Sequence, residues 1–467
     1  MTVASNFPAN FAWGTASASY QIEGGVHEGG RGSSIWDDFS HSPGKVFQGH
    51  TGDVACDHFH RWPEDVALMR ALGVKHYRLS LAWTRLLPDG TGAVNQAGLD
   101  FYRRIFAALK NADIEPWVTL NHWDYPSALQ MRGGWMNPDS VGWMADYAAL
   151  CAQHFGDAVT NWMPINEPQC IVLLGYQTGE HAPGWKLPRN ALLQAMHHTH
   201  VATAKSAAAI RANSPRKALV GCALAADQFI PASESAADIA ACERAMWTVN
   251  PERVWSNPQW CDPLLAGRYD DAAMAVFGAD LPRRRLGDDE ALAAAELDFC
   301  GINCYSATVY GAGAAPSDAP RVIPFAPGSP TTTQNNWIVT PSMMRWCPRW
   351  FNRRYNVPIV ITENGHQNLD SVALDGQVHD PQRIDYLHRY LAELGRGIAD
   401  GNDVRGYFCW TMMDNFEWSL GYNVRVGLVH VDFQTLKRTP KDSFAWYREV
   451  VRTHGASLGA LAAKQAH

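Results

Sequence analysis

The 467-residue chain holds no uninterrupted apolar run of the roughly 18 residues that a membrane-crossing helix needs. Its opening stretch, MTVASNFPANFAWG, has neither the basic segment nor the apolar core of an export signal. Membrane insertion and export are therefore not expected, and a cytoplasmic setting is. Closely spaced cysteines are also missing: positions 56, 151, 170, 222, 242, 261, 300, 304, 347 and 409 stand singly, with no CxxC pair. That spacing excludes a disulfide scaffold and suits reduced thiols. Positive charge is scarce, with 39 Lys and Arg against 46 Asp and Glu, a formal balance of −7. The densest basic run, Arg283 to Arg285, has no interleaved aromatics, so no nucleic-acid partner is expected. No repeat, low-complexity tail or linker divides the chain, which reads as one domain over residues 1–467. Oligomeric state is not written in these patterns.

What is present is apolar and aromatic. Hydrophobic residues make up 46% and charged residues 18%, enough for a sizeable core. With 19 Trp, 15 Tyr and 17 Phe, more rings exist than a core readily absorbs. Exposed ring faces suit the C–H faces of sugars as well as protein surfaces.

Eight short runs rich in β-branched and aromatic residues recur: 11–16, 74–80, 115–122, 159–167, 218–224, 297–306, 358–365 and 404–411. Between them lie stretches such as 62–73, 97–112, 140–156, 191–212 and 381–401, whose apolar residues recur at three- and four-residue spacing. Strand then helix, eight times, predicts a closed parallel (β/α)8 barrel of the TIM type. A doubly wound open sheet fits less well, because no GxGxxG follows the first strand. Segments 227–290, which carries helical pieces of its own, and 306–336, rich in Ala, Gly, Pro, Ser and Thr, exceed ordinary loop length, and long loops in such a barrel shape its mouth.

Catalytic groups in these barrels come from the carboxyl ends of different strands. The fourth run ends in Asn166-Glu167-Pro168 and the seventh in Thr362-Glu363-Asn364-Gly365, which sets two carboxylates at the exits of strands that can face each other. Either glutamate alone reads as a helix cap, since an acid at a helix N-terminus is favourable. As a pair they suit glycoside hydrolysis. One acid protonates the leaving oxygen and the other attacks the anomeric centre, standing about 5–5.5 Å apart when configuration is retained.

The chain resembles glycoside hydrolase family 1, the β-glucosidase family, from end to end. The resemblance rests on FPANFAWGTASASYQIEGG (7–25), SIWDDF (34–39), the block 57–83, NHWDYP (121–126), WMPINEP (162–168), GINCYS (301–306), ITENG (361–365), WTMMDNFEWSLGY (410–422) and TPKDSFAWY (439–447). It implies that Glu167 is the general acid and base, and that Glu363 is the nucleophile of a covalent glycosyl-enzyme. It also implies that Arg78, Asn303 and Tyr305 support the nucleophile, and that Gln21, His122, Asn166 and Glu417 bind sugar hydroxyls. Trp410 would form the stacking floor and Trp418 a further donor. The expected partner is a small β-glycoside or oligosaccharide, and the family needs no cofactor or metal. Taken singly, His122 reads as a satisfied buried histidine, the tryptophans as core and Arg78 as a structural ion pair. Residues His197, His198 and His200 lie on one predicted helix where at most two can share a face, and they read as ordinary helix histidines.

Four positions leave the family's usual pattern: Pro164, Cys304, Leu420 and Val426. The last two predict an apolar wall that admits 6-deoxy or 6-substituted sugars. Glu417 would repel a phosphorylated glycone, so an unphosphorylated sugar is favoured over a 6-phosphoglycoside. Cys300 and Cys304 read as packing residues; Trp123, Trp185 and Trp337 are candidate surfaces for the leaving group, though each taken singly reads as packing. A sugar-binding barrel that has lost catalysis is the competing class, and both carboxylates with their surroundings intact speak for an enzyme.

Overall fold

The computed structural model describes residues 7–315, 317–333 and 336–462. Eight parallel strands close into a barrel: β1 (Ala12–Ser17), β2 (His76–Ser80), β3 (Glu115–Asn121), β4 (Asn161–Ile165), β5 (Leu219–Leu224), β6 (Phe299–Asn303), β7 (Ile359–Asn364) and β8 (Val404–Trp410). Each pairs with its sequence neighbours, and β8 returns to β1 with Gly14 opposite Phe408. Seven of the eight strands lie inside the runs predicted from the sequence, and β1 extends one residue past its run, to Ser17. An outer layer of helices follows them, among them α1 (His58–Leu72), α2 (Gln96–Asn111), α3 (Ser140–Phe155), α4 (Arg189–Asn213), α5 (Asn257–Leu265), α6 (Met343–Tyr355), α7 (Pro381–Ala399) and α8 (Asp442–Arg452). In α2, Leu99, Tyr102, Ile105, Phe106 and Leu109 are buried, so the three- and four-residue spacing becomes the face laid on the barrel.

The interior changes character along the barrel axis. In its lower part Trp117 meets Phe299 and Phe408 edge-on, at centroid distances of 5.4 and 5.1 Å, with Met163 and Val360 beside them. Small residues make room for these rings. A Cβ on Gly14 would come within 2.5 Å of Phe408, and one on Gly221 within 2.3 Å of Phe299. Above the rings the inward positions turn polar: Arg78 Nε donates to Thr119 Oγ1 at 3.2 Å, and Thr362 Oγ1 to Asn303 Oδ1 at 2.6 Å. A fully apolar barrel would end where chemistry has to begin.

Of the two long segments, 227–290 holds the helical pieces expected of it, and 306–336 is more ordered than its composition predicts. Residues 227–290 carry helices Ala236–Met246, Asn257–Leu265, Asp271–Met274 and Asp288–Ala293. Segment 306–336, expected as irregular loop, contributes strands Thr308–Gly311 and Arg321–Val322, which join Phe229–Pro231 in a small three-stranded sheet. Thr308 N–H donates to Gln228 O at 2.9 Å and Ala232 N–H to Tyr310 O at 2.8 Å, so the loops after β5 and β6 satisfy each other's backbone. Strands of two to four residues carry too little periodicity to be read in advance.

Candidate active site

Glu363 should not face the barrel axis if β7 alternated regularly. Val360 and Thr362 already point inward, and the next residue belongs outside. The pairing register slips on both sides of the strand, between Ile361 and Glu363 against β6 and between Ile361 and Asn364 against β8. That bulge turns Glu363 inward as well. There Arg78 Nη1 reaches Glu363 Oε1 at 2.6 Å, and Tyr305 Oη donates to Oε2 at 2.7 Å. Arg78 sits in the middle of β2, and its length carries the guanidinium up to the mouth. Glu167 lies two residues past β4 at φ 41°, in the left-handed region that non-glycine residues seldom occupy. Its backbone N–H donates to Ala223 O of β5 at 2.8 Å, and its side chain accepts from Asn303 Nδ2 at 2.7 Å on Oε1 and from Cys170 Sγ at 3.3 Å on Oε2. Backbone strain of this kind persists only where the surroundings fix it.

Two amides connect the carboxylates. Asn166 Oδ1 accepts from Arg78 Nη2 at 2.7 Å and from Asn303 Nδ2 at 3.2 Å, while its Nδ2 lies 3.0 Å from His122 Nε2. Burial and the nearby Arg78 hold His122 well below the usual imidazole range, so it is neutral and accepts that bond.

The electrostatics separate the two acids. Burial, then the charge of Glu363, pushes Glu167 up to about 7, against the opposing pull of Asn303, Cys170 and Arg78. Burial also raises Glu363, but Arg78, Tyr305 and Asn303 all stabilise its anion and pull it back. The proton of the pair consequently rests on Glu167 near neutrality. Burial raises the Tyr305 phenol far above its ordinary value, which keeps it a donor.

A cavity of about 560 Å3 opens over this pair, lined by His122, Trp123, Glu167, Cys170, Asn303, Tyr305, Trp337, Glu363, Trp410, Glu417, Trp418, Leu420 and Val426 among others. Trp410 and His122 lie parallel within 15° at 5.6 Å. Gln21 Nε2 donates to Glu417 Oε2 at 3.1 Å, which sets a carboxylate beside an amide as two vicinal hydroxyls require. Burial, then the charge of Glu363, lifts Glu417 to about 8 despite the bond from Gln21. The residues that the family resemblance assigns to catalysis and glycone binding thus belong to one mouth: Gln21, Arg78 and Asn166 are buried in the network behind its wall, and the rest line the cavity.

Of the suggested leaving-group surfaces, Trp123 and Trp337 line the cavity. Trp185 does not, and stacks instead on Tyr176 at 5.3 Å. Cys304 is fully buried beneath the mouth, as is Cys300. The structure divides the histidines of α4 as helix geometry demands: His197 and His200 share Tyr269 Oη at 3.0 and 2.9 Å, and His198 turns to Trp135 O at 2.8 Å. His197 is also paired with Asp288 at 2.9 Å. No role for Cys170, Thr119, Thr362 or Gln228 follows from the sequence alone. Cys170 stands three residues after Glu167, one helical turn away, and that spacing was the available signal.

A parallel eightfold barrel whose mouth holds two coupled carboxylates, one beside a guanidinium and one bearing the proton, with aromatic planes and paired polar groups around them, defines a glycoside hydrolase. The family model for glycosyl hydrolase family 1 matches residues 3–456, and the chain belongs to that family. It is 41% identical over 450 residues to beta-glucosidase A of Thermotoga maritima, covering 96% of this chain and 98% of the relative. It is 38% identical to the bifunctional beta-D-glucosidase/beta-D-fucosidase of Bifidobacterium breve, covering 96% and 99%. A solved structure of the Thermotoga maritima beta-glucosidase in complex with glucoimidazole superposes with a TM-score of 0.86 at 39% identity, covering 96% of this chain and 99% of that one.

Proposed function

We propose that this protein is a retaining, exo-acting β-glucosidase that releases terminal β-D-glucosyl residues through a covalent glycosyl-enzyme. One observation carries the assignment of roles: Arg78 and Tyr305 both bind Glu363, while Glu167 is held at about 7 by burial and by its charged neighbour. Glu363 attacks the anomeric carbon as Glu167 passes its proton to the leaving oxygen. The C–O bond to the aglycone breaks and an ester to Glu363 forms. Esterification removes the charge that kept Glu167 protonated, so Glu167 then accepts a proton from water. That water attacks C1, the ester breaks and Glu363 is released as a carboxylate. An alcohol that competes with water at this step gives transglycosylation.

Gln21, His122, Asn166 and Glu417 serve the hydroxyls of the glycone, Trp410 its face, and Trp418 adds a donor. Asn303 holds Glu167 and Glu363 in one frame. Val426 and Leu420 give the cavity an apolar flank, which supports turnover of β-fucosides, whose C6 bears no hydroxyl, with β-galactosides as a further side activity. The single family match over 3–456 supports one catalytic domain, and ten buried free thiols support a reducing, cytoplasmic setting. Among the described residues, no helix is long and apolar enough to cross a membrane, and no group of three or more His, Cys, Asp or Glu is arranged to hold a metal ion.

The test is hydrolysis of aryl β-glycosides (gluco, galacto, fuco, manno and 6-phosphogluco) with Glu363→Ala as the blank. Turnover of the glucoside that disappears in the variant supports this function, and a folded protein inert toward every glycoside overturns it.

A further inference from the structure

Glu167 is gripped on both oxygens by groups of different kinds. Asn303 Nδ2 lies 2.7 Å from Oε1 and can only donate, so Oε1 is held as an acceptor. The oxygen left to carry and pass the proton is Oε2, and its protein contact is Cys170 Sγ at 3.3 Å. The contact follows from local structure. Glu167 caps the helical turn Pro168–Cys170, which continues into a π-helix over Ile171–Thr178; Cys170 N–H donates to Glu167 O at 2.9 Å and the thiol is carried back over the carboxylate. Cys170 is 8% exposed and lines the same cavity.

Resting on the function assigned above, we propose that Cys170 is a positioning residue for proton transfer, its S–H directed at the second lone pair of Glu167 Oε2. In the first half-reaction this bond keeps the O–H of Oε2 turned toward the leaving oxygen. In the second, thiol and water both donate to the ionised Oε2, the water proton passes to it, and the water oxygen bonds to C1 as the ester to Glu363 opens. The thiol stays a donor throughout, because burial and the neighbouring carboxylates raise Cys170 far above its ordinary value. The charges that share the site are Glu363 from β7, Arg78 from β2 and Glu417 from the loop after β8, with the Tyr305 phenol from the loop after β6. A donor to the ionised form favours it, so the thiol matters most when Glu167 must act as base.

The experiment compares Cys170→Ala, Cys170→Val and Cys170→Ser with the wild type on 2,4-dinitrophenyl β-glucoside, a substrate with so good a leaving group that loss of the glycosyl group limits turnover. Folding is checked by thermal melting, and Glu363→Ala is run alongside. With one hydrogen bond lost, Ala and Val lower kcat by about 3- to 10-fold. The alkaline limb of kcat/KM, read on an alkyl β-glucoside whose leaving oxygen needs the proton of Glu167, moves up by roughly half a pH unit or more, because the ionised form has lost a donor. Ser restores both toward wild type. An active wild type whose Ala and Val variants keep its kcat and profile, or a Ser variant as impaired as they are, overturns the inference. An inert wild type overturns the functional assignment and this inference together.

Discussion

At the exit of β7, Glu363 meets a guanidinium at 2.6 Å and a phenol at 2.7 Å, whereas at the exit of β4 Glu167 meets an amide at 2.7 Å and a thiol at 3.3 Å. Both side chains are buried, so desolvation works against both anions. The difference lies in what opposes it. A cation fully withdrawn from solvent compensates a buried charge far better than a neutral donor does. Two identical residues are thereby split into a standing anion and a standing acid. The backbone is unusual at both exits too: a bulge re-aims Glu363, and a left-handed residue re-aims Glu167.

The largest effect expected is from removing the anion. Glu363→Ala lowers kcat/KM on aryl glucosides by at least about 10^4-fold, read from initial rates. Next comes its support: Arg78→Met costs on the order of 10^2- to 10^3-fold, and Tyr305→Phe about 10-fold or more. Both variants shift the acid limb of kcat/KM to higher pH, because an anion that loses a cation or a donor holds its proton more tightly. An acid limb left in place by Arg78→Met would separate the guanidinium from the charge on Glu363.

At the other exit the cost appears in stability. The native value of about 7 for Glu167 stands above the ordinary 4.5, so the folded state binds more protons than the unfolded one between these limits. Stability therefore falls as pH rises from about 4.5 to about 7. Glu167→Gln removes that penalty and gains on the order of 2–3 kcal/mol relative to wild type above pH 7, with little difference below pH 4.5, measured by denaturant unfolding. Smallest is the glycone flank. Val426→Phe narrows the room at C6 and raises the fucoside-to-glucoside ratio of kcat/KM by less than about 10-fold, because a methyl needs less space than a hydroxymethyl, and an unchanged or lowered ratio would show that Val426 does not set that room.

Much of this was legible because it is carried by periodicity and by fixed positions relative to strand ends. Eight apolar runs announce eight strands, and the Glu167 and Glu363 motifs sit at two exits. The amides that connect the acids were legible only through family resemblance, since Asn166 and Asn303 alone look like ordinary strand-end residues. The bulge at Glu363 was not legible: regular alternation puts either Thr362 or Glu363 inside, and only the register against β6 and β8 shows both there. The small sheet formed by Phe229–Pro231, Thr308–Gly311 and Arg321–Val322 was hidden for another reason. Its pairing is a long-range match between two loops, which neither loop encodes by itself. Of the three candidate rings for the leaving group, Trp185 follows the packing reading, against Tyr176.

The split between the acids depends on charge passing from one exit to the other, and that is directly measurable. Glu167 is titrated by 13C NMR of the labelled carboxyl in the free enzyme and after Glu363 has been esterified by a slowly hydrolysed 2-deoxy-2-fluoro-β-glucosyl donor. The account predicts a value near 7 in the free enzyme that falls by roughly one unit or more once the charge on Glu363 is gone. A Glu167 that titrates at the same pH in both states would contradict it, leaving burial alone to hold the proton and no mechanism to turn the acid into a base.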